Sequence, residues 1–111
     1  MRLLLLFLFA STFGVEITLD SPATITGNCN PSRVHFTGHI IASAPGKITY
    51  VWLRSDKGAS SAQTLEFTRP GPLPVGYDWL LRRTTKGWVA LKVLTPTPLE
   101  SGKVGFELIC R

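Results

Sequence analysis

Two histidines on one face of a predicted strand are the first candidates for metal binding. His35 and His39 lie four residues apart, which separates their side chains by about 13 Å along a strand. One zinc ion, whose bonds to histidine are about 2 Å long, cannot bind both. Because the sequence identifies no third ligand within reach, we expect solvent-facing histidines and no metal site.

The carboxylates and hydroxyls show no catalytic pattern. A glycosidase needs two carboxyl groups about 5 to 9.5 Å apart in a cleft, for which a small β-domain has little room. No serine lies in a G-x-S-x-G motif or a comparable nucleophile setting. Asp56, which precedes Lys57 and Gly58, is explained as a turn residue whose carboxylate bonds the backbone. We therefore expect no enzymatic activity and no cofactor.

The tyrosines and tryptophans could form a sugar-stacking platform. Tyr50 and Trp52 share one face of a predicted strand, and Tyr77 and Trp79 share one face of another. Both pairs lie in the inward phase of their strands, so we expect them to pack in the core. Trp88 is the best candidate for an exposed ring.

Basic residues form one local cluster. Arg82, Arg83 and Lys86 lie in a predicted hairpin tip with Trp88 at its base, and these four residues are the candidate ligand-facing set. The formal net charge is +5, but the other basic residues are scattered along the chain. A nucleic-acid site would need a continuous basic stripe with stacking aromatics, so we expect no nucleic-acid partner. An ordinary solvated turn is the alternative for the cluster.

The chain begins with a basic start and an apolar run over residues 3–10, followed by small residues. This pattern predicts a signal peptide over residues 1–14. Residues 3–14 as a helix would span only about 18 Å, against roughly 30 Å of bilayer hydrocarbon, so we expect no stable membrane anchor. A misassigned start inside a longer leader and an apolar first strand are the alternatives. The mature domain, residues 15–111, is then extracellular or periplasmic.

Two cysteines behind a secretory leader predict one disulfide, Cys29–Cys110. Closing a loop of roughly 80 residues removes about 4 to 5 kcal/mol of unfolded-state entropy on the chain-entropy model. Two separate buried thiols are the alternative.

Hydrophobic periodicity predicts strands throughout and no helix. Alternation is clearest over residues 34–42 and 48–53, both rich in β-branched and aromatic residues. Prolines in the turns mark the places where strands stop. About seven short antiparallel strands, the first of them split, predict a Greek-key β-sandwich. The predicted strands are 17–19 with 23–27, 34–42, 48–53, 63–68, 75–81, 87–94 and 103–110.

The segments VHFTGHIIASAPGKITYVWLRSDKG, AQTLEF, GWVALKVLTP and SGKVGFELIC, with Trp79 between the second and third, carry a family resemblance. In this order they resemble secreted bacterial immunoglobulin-like domains of undetermined function, in which an early cysteine pairs with one at the end of the last strand. The chain departs from that pattern at Arg82, Arg83 and residues 70–74. The resemblance implies an immunoglobulin-like or fibronectin III-like sandwich and secretion, but no catalytic residue.

The predicted function is a secreted, monomeric, non-enzymatic binding module for protein interaction or cell-surface adhesion. Its working surface would be a sheet edge or a loop cluster. A small carbohydrate-binding module for wall or environmental glycans is the alternative, and an anionic-surface binder using residues 82–86 is the third hypothesis.

Overall fold

Alternating apolar and polar residues form two β-sheets in the computed structural model, which describes residues 13–20, 22 and 24–111. The predicted signal peptide lies outside these residues except for Phe13 and Gly14. Within the described ranges there is no helix with the length and apolar character needed to span a bilayer.

The strands divide between a small and a large sheet. The small sheet has the order β1-β3-β6, and the large sheet has the order β2-β9-β7-β4-β5, with β8 also paired to β7. The strands of the described chain are β1 (Val15–Leu19), β2 (Thr24–Gly27), β3 (Ser32–Ala42), β4 (Gly46–Arg54), β5 (Gln63–Phe67), β6 (Gly71–Leu81), β7 (Thr85–Thr95), β8 (Leu99–Glu100) and β9 (Val104–Cys110).

An aromatic core lies between the sheets. Trp52 of the large sheet stacks on Tyr77 of the small sheet, with ring centroids 5.7 Å apart. Phe106 meets Phe36 and Trp79 edge to face, at 5.3 and 5.4 Å. Trp52 is fully buried, and within the described residues its Nε1–H has no hydrogen-bond partner.

The prediction that Tyr50, Trp52, Tyr77 and Trp79 point into the core is confirmed. Tyr50, Trp52 and Trp79 are buried, and Tyr77 is half-buried against the same core. The split first strand is also confirmed, because β1 joins the small sheet and β2 joins the large one.

The expectation of antiparallel pairing throughout is wrong for β2. Its residues run parallel to β9, with Thr24 opposite Glu107 and Gly27 opposite Cys110. The two halves of the split strand pair with different sheets, so β2 lies at the far edge of the large sheet and runs in the direction of β9. The two-residue β8 is a further strand that the periodicity does not predict.

The expectation that prolines mark strand ends is wrong for Pro72 and Pro74. Both lie inside β6, opposite Ile41 and His39 of β3. β6 is an edge strand, so a proline whose nitrogen faces away from β3 removes no bond from the ladder.

The predicted disulfide is present. Cys29, in the connection from β2 to β3, is bonded to Cys110 at the end of β9, with Cα atoms 5.6 Å apart. The Arg111 amide beside it donates to the Gly27 carbonyl at 3.1 Å. The bond thus fixes the place where the chain leaves the large sheet for the small one, and it closes a loop with a sequence separation of 81.

Replacing both cysteines, Cys29→Ala with Cys110→Ala, should lower the free energy of unfolding by about 2 to 5 kcal/mol, because the open chain gains entropy when unfolded. Urea denaturation of the two proteins measures the difference. Far-ultraviolet circular dichroism should stay the same, since both cysteines are only partly buried and pack against the core without being among its buried residues. An unchanged free energy of unfolding would mean that the bond contributes no stability.

Candidate functional site

The segment 82–84 connects the two sheets. β6 pairs with β3 in the small sheet, whereas β7 pairs with β4, β8 and β9 in the large sheet. The predicted hairpin at Arg82, Arg83 and Lys86 is therefore wrong. The core must be covered from both sides, so the chain crosses between sheets here instead of folding back on itself. All three cationic side chains are exposed.

This crossing is held by hydrogen bonds beside the disulfide. The Cys110 amide donates to the Thr84 hydroxyl at 3.0 Å, and the Thr85 hydroxyl donates to the Arg83 carbonyl at 2.8 Å. The backbone that carries Arg82 and Arg83 is thereby fixed to the end of β9.

Basic residues from several strands meet at this end of the sandwich. In the small sheet Ser32 is opposite Leu81, in the large sheet Gly27 is opposite Cys110, and the short 82–84 crossing joins the two sheets. The strand ends therefore coincide. We name this region the basic end, defined by Arg33, Arg54, Lys57, Arg82, Arg83, Lys86 and Arg111.

Net charge is concentrated at the basic end. The basic end has seven cationic residues and three acidic ones, Asp56, Asp78 and Glu107. In the rest of the described chain the charges balance: the basic residues are Lys47, Arg69, Lys92 and Lys103, and the acidic ones are Glu16, Asp20, Glu66 and Glu100. The excess of positive charge in the described chain thus belongs to the residues of the basic end.

Arg54 closes the core at the basic end. It follows Tyr50 and Trp52 in the inward phase of β4, and its guanidinium carbon lies 4.8 Å from the centre of the Trp79 ring. Nη1 donates to the Tyr77 hydroxyl at 3.2 Å. Sequence reasoning treats Arg54 as a scattered surface charge, although the alternation that places Trp52 inward also indicates Arg54.

The turn after β4 confirms the role predicted for Asp56. Its carboxylate accepts from the Gly58 amide at 2.8 Å and from Nε and Nη2 of Arg54 at 3.0 and 2.9 Å. A Cβ at Gly58 would clash with the guanidinium of Arg54, so a larger residue there would displace that group from Asp56. The Gly58 amide, and with it Arg54, lowers the pKa of Asp56 against the smaller opposing effect of desolvation.

Trp88 lies apart from the crossing that carries Arg82 and Arg83. It is on the outer face of the large sheet, opposite Gly105 of β9, and is partly buried. The ammonium of Lys103 lies 4.7 Å from the centre of its ring, within cation–π distance. Lys86, two residues before Trp88, shares the outer face of β7 with it, whereas Arg82 and Arg83 lie on the crossing that precedes the strand.

Both histidines are exposed on the outer face of the small sheet. Nδ1 of His35 lies 2.5 Å from an Asp78 oxygen, and Nε of Arg33 lies 4.0 Å from the other oxygen. In the part of the chain that the structure describes, no group of three or more His, Cys, Asp or Glu side chains could hold a metal ion.

No protein-family model and no curated protein sequence matches this chain. Among solved structures it is similar to the CARDB domain of a Pyrococcus furiosus protein, crystallised in complex with di-metal ions. The TM-score is 0.65, with 10% sequence identity over 90% of this chain and 94% of that chain. At this identity the similarity concerns the fold alone. It confirms the predicted immunoglobulin-like, all-β sandwich.

Replacing Asp56 by asparagine should lower the free energy of unfolding at pH 7 by at most about 1 kcal/mol, since the carboxylate is exposed and screened. A pKa that is lower in the folded state gives stability that is present above the unfolded value, about 3.9, and lost as the pH falls through the folded value. The difference between wild type and Asp56→Asn should therefore decline below about pH 4. Urea denaturation from pH 7 to pH 2 measures it.

The control for this prediction is Glu16→Gln, which removes one carboxylate away from the basic end. A destabilisation by Asp56→Asn that stays constant down to pH 2 would contradict a lowered pKa of Asp56.

Proposed function

We propose that this chain is a non-enzymatic binding module that uses the basic end to contact an acidic surface of a protein partner. The observation that carries the proposal is the location of the excess positive charge at one end of the sandwich. Such a charge distribution steers an oppositely charged partner to one part of the molecule and sets its orientation.

The backbone and Arg54 of the basic end are held by covalent bonds, hydrogen bonds and ring contacts within the chain. The disulfide fixes Cys29 to Cys110, and Thr84 ties the crossing to β9. Arg54 is held by Asp56, Tyr77 and Trp79. Rigid backbone beneath exposed charges reduces the entropy lost on binding. This supports a docking surface over an ordinary solvated turn.

The proposed setting is the outside of the cell. A disulfide is typical of oxidising compartments, and the predicted signal peptide over residues 1–14 agrees with export. Within that setting we propose that the chain is a monomer that mediates protein interaction or cell-surface adhesion.

The carbohydrate-binding alternative has weaker support. A platform for neutral sugars needs exposed aromatic rings. Tyr50, Trp52 and Trp79 are buried, Tyr77 is stacked on Trp52, and Lys103 covers Trp88. An acidic glycan could still use the basic end, so the experiment includes one.

The test uses poly-L-glutamate as a carboxylate probe and heparin as a sulfated-glycan probe. Replacing Arg82, Arg83 and Lys86 by alanine should weaken binding of poly-L-glutamate by about tenfold, equal to about 1.4 kcal/mol, and reduce its dependence on salt. The melting temperature should change little, because exposed charges contribute little to stability. Fluorescence anisotropy across salt concentrations measures both quantities.

The matched control replaces Lys47, Arg69 and Lys92 by alanine, which removes the same charge away from the basic end. Equal loss of affinity in the two triple variants would show attraction to net charge alone and overturn the proposal. Heparin binding that depends on residues 82–86, without any binding of poly-L-glutamate, would favour the glycan alternative.

A further inference from the structure

The longest edge strand among the described residues is β6. It pairs with β3 along all of Gly71–Leu81, and within the described residues it has no strand on its other side. The other strands at sheet edges, β1, β2, β5 and β8, have two to five residues each. An edge of this length is a template for pairing with another chain unless something blocks it.

The two halves of this edge differ in the backbone hydrogen-bond donors that they present to a neighbouring strand. In an antiparallel ladder, alternate residues direct their N–H and C=O groups toward the same neighbour. Pro72 and Pro74 have no N–H, so they must belong to the set that faces away from β3. The same set includes Gly76, Asp78 and Leu80, whose N–H and C=O groups then point to the free edge. The prolines remove donors from the first half of β6, and the second half keeps them.

The second half of β6 also carries the most exposed large hydrophobic side chain of the described residues. Leu80 is 56% exposed. It is opposite Arg33, and the exposed Arg82 follows two residues later. A strand added at Gly76 to Leu80 would cover this leucine and bring its own side chains next to the cations of the basic end.

Charge at this edge selects the incoming chain. Asp78 is the one acidic residue of β6, and it is already engaged by His35 and Arg33. Arg82 and Arg83 lie just beyond the strand with exposed side chains. An acidic segment is attracted to these arginines, and a basic one is repelled.

We propose that the edge of β6 from Gly76 to Leu80 receives an extended acidic segment of the protein partner as an added strand. Backbone hydrogen bonds hold the segment, an apolar side chain covers Leu80, and carboxylates lie beside Arg82 and Arg83. This mode is β-augmentation, in which the backbone gives affinity and alternate side chains give specificity. The inference rests on the proposed function, because it identifies the kind of partner that the basic end attracts.

The test compares two acidic probes, poly-L-glutamate and a synthetic peptide of alternating glutamate and valine, which favours the extended conformation. Leu80→Pro deletes the outward N–H without removing a bond to β3, as Pro72 and Pro74 already do. It should weaken binding of the alternating peptide about fivefold or more, because one backbone hydrogen bond and one apolar contact are lost. Binding of poly-L-glutamate should stay almost unchanged. Leu80→Ala, which keeps the N–H, should have a smaller effect.

A second measurement needs no variant of the protein. Methylating alternate backbone nitrogens along one edge of the alternating peptide removes its ladder donors, so its affinity for the wild type should fall to that of poly-L-glutamate. This arm remains valid even if Leu80→Pro does not fold.

Two results would overturn the inference. Equal binding of the methylated and unmethylated peptides would mean that β6 receives no strand. The proposed function of the basic end is tested separately, and it would be retained if the Arg82, Arg83 and Lys86 variant binds poly-L-glutamate more weakly. A concentration-dependent dimer in sedimentation equilibrium that Leu80→Pro removes would mean that a second copy of the chain occupies the edge.

Discussion

Aromatic packing between the two sheets is the interaction on which the rest of this structure depends. Trp52 from β4 stacks on Tyr77 from β6, and Phe106 from β9 fills the space between Phe36 and Trp79. These contacts join strands that are far apart in sequence, so they fix which sheet each strand belongs to. Because the apolar side chains must meet in one layer, the polar side chains and the strand ends are left to form the surfaces.

The basic end follows from that arrangement. Arg54 extends the inward row of β4 beyond Trp52 and covers Trp79, which connects the core directly to the charged surface. The disulfide and Thr84 then hold the crossing that bears Arg82 and Arg83. The packed core thus presents these charges on short connections that are held by covalent and hydrogen bonds.

Local sequence pattern predicts the strands and the buried aromatic residues because alternation determines them directly, and it predicts the cysteine pair because the sequence has two cysteines behind a secretory leader. It does not predict the crossing at residues 82–84 or the parallel pairing of β2, since both depend on contacts between distant strands. The pattern wrongly places Pro72 and Pro74 outside a strand. Proline is tolerated within β6 because β6 is an edge strand, which the local sequence does not reveal. The basic end is likewise invisible in sequence: Arg33 and Arg111 join Arg82 only after folding.

The most direct test of the account is to map binding on the folded protein with isotope-resolved amide spectra during titration with poly-L-glutamate. We expect the shifts to concentrate at residues 82–86, at Arg33 and Arg111, and on the adjoining end of β6. Shifts centred on Trp88 and Lys103 would contradict this expectation. So would shifts spread evenly over the surface around Lys47 and Arg69, where basic and acidic residues are equal in number.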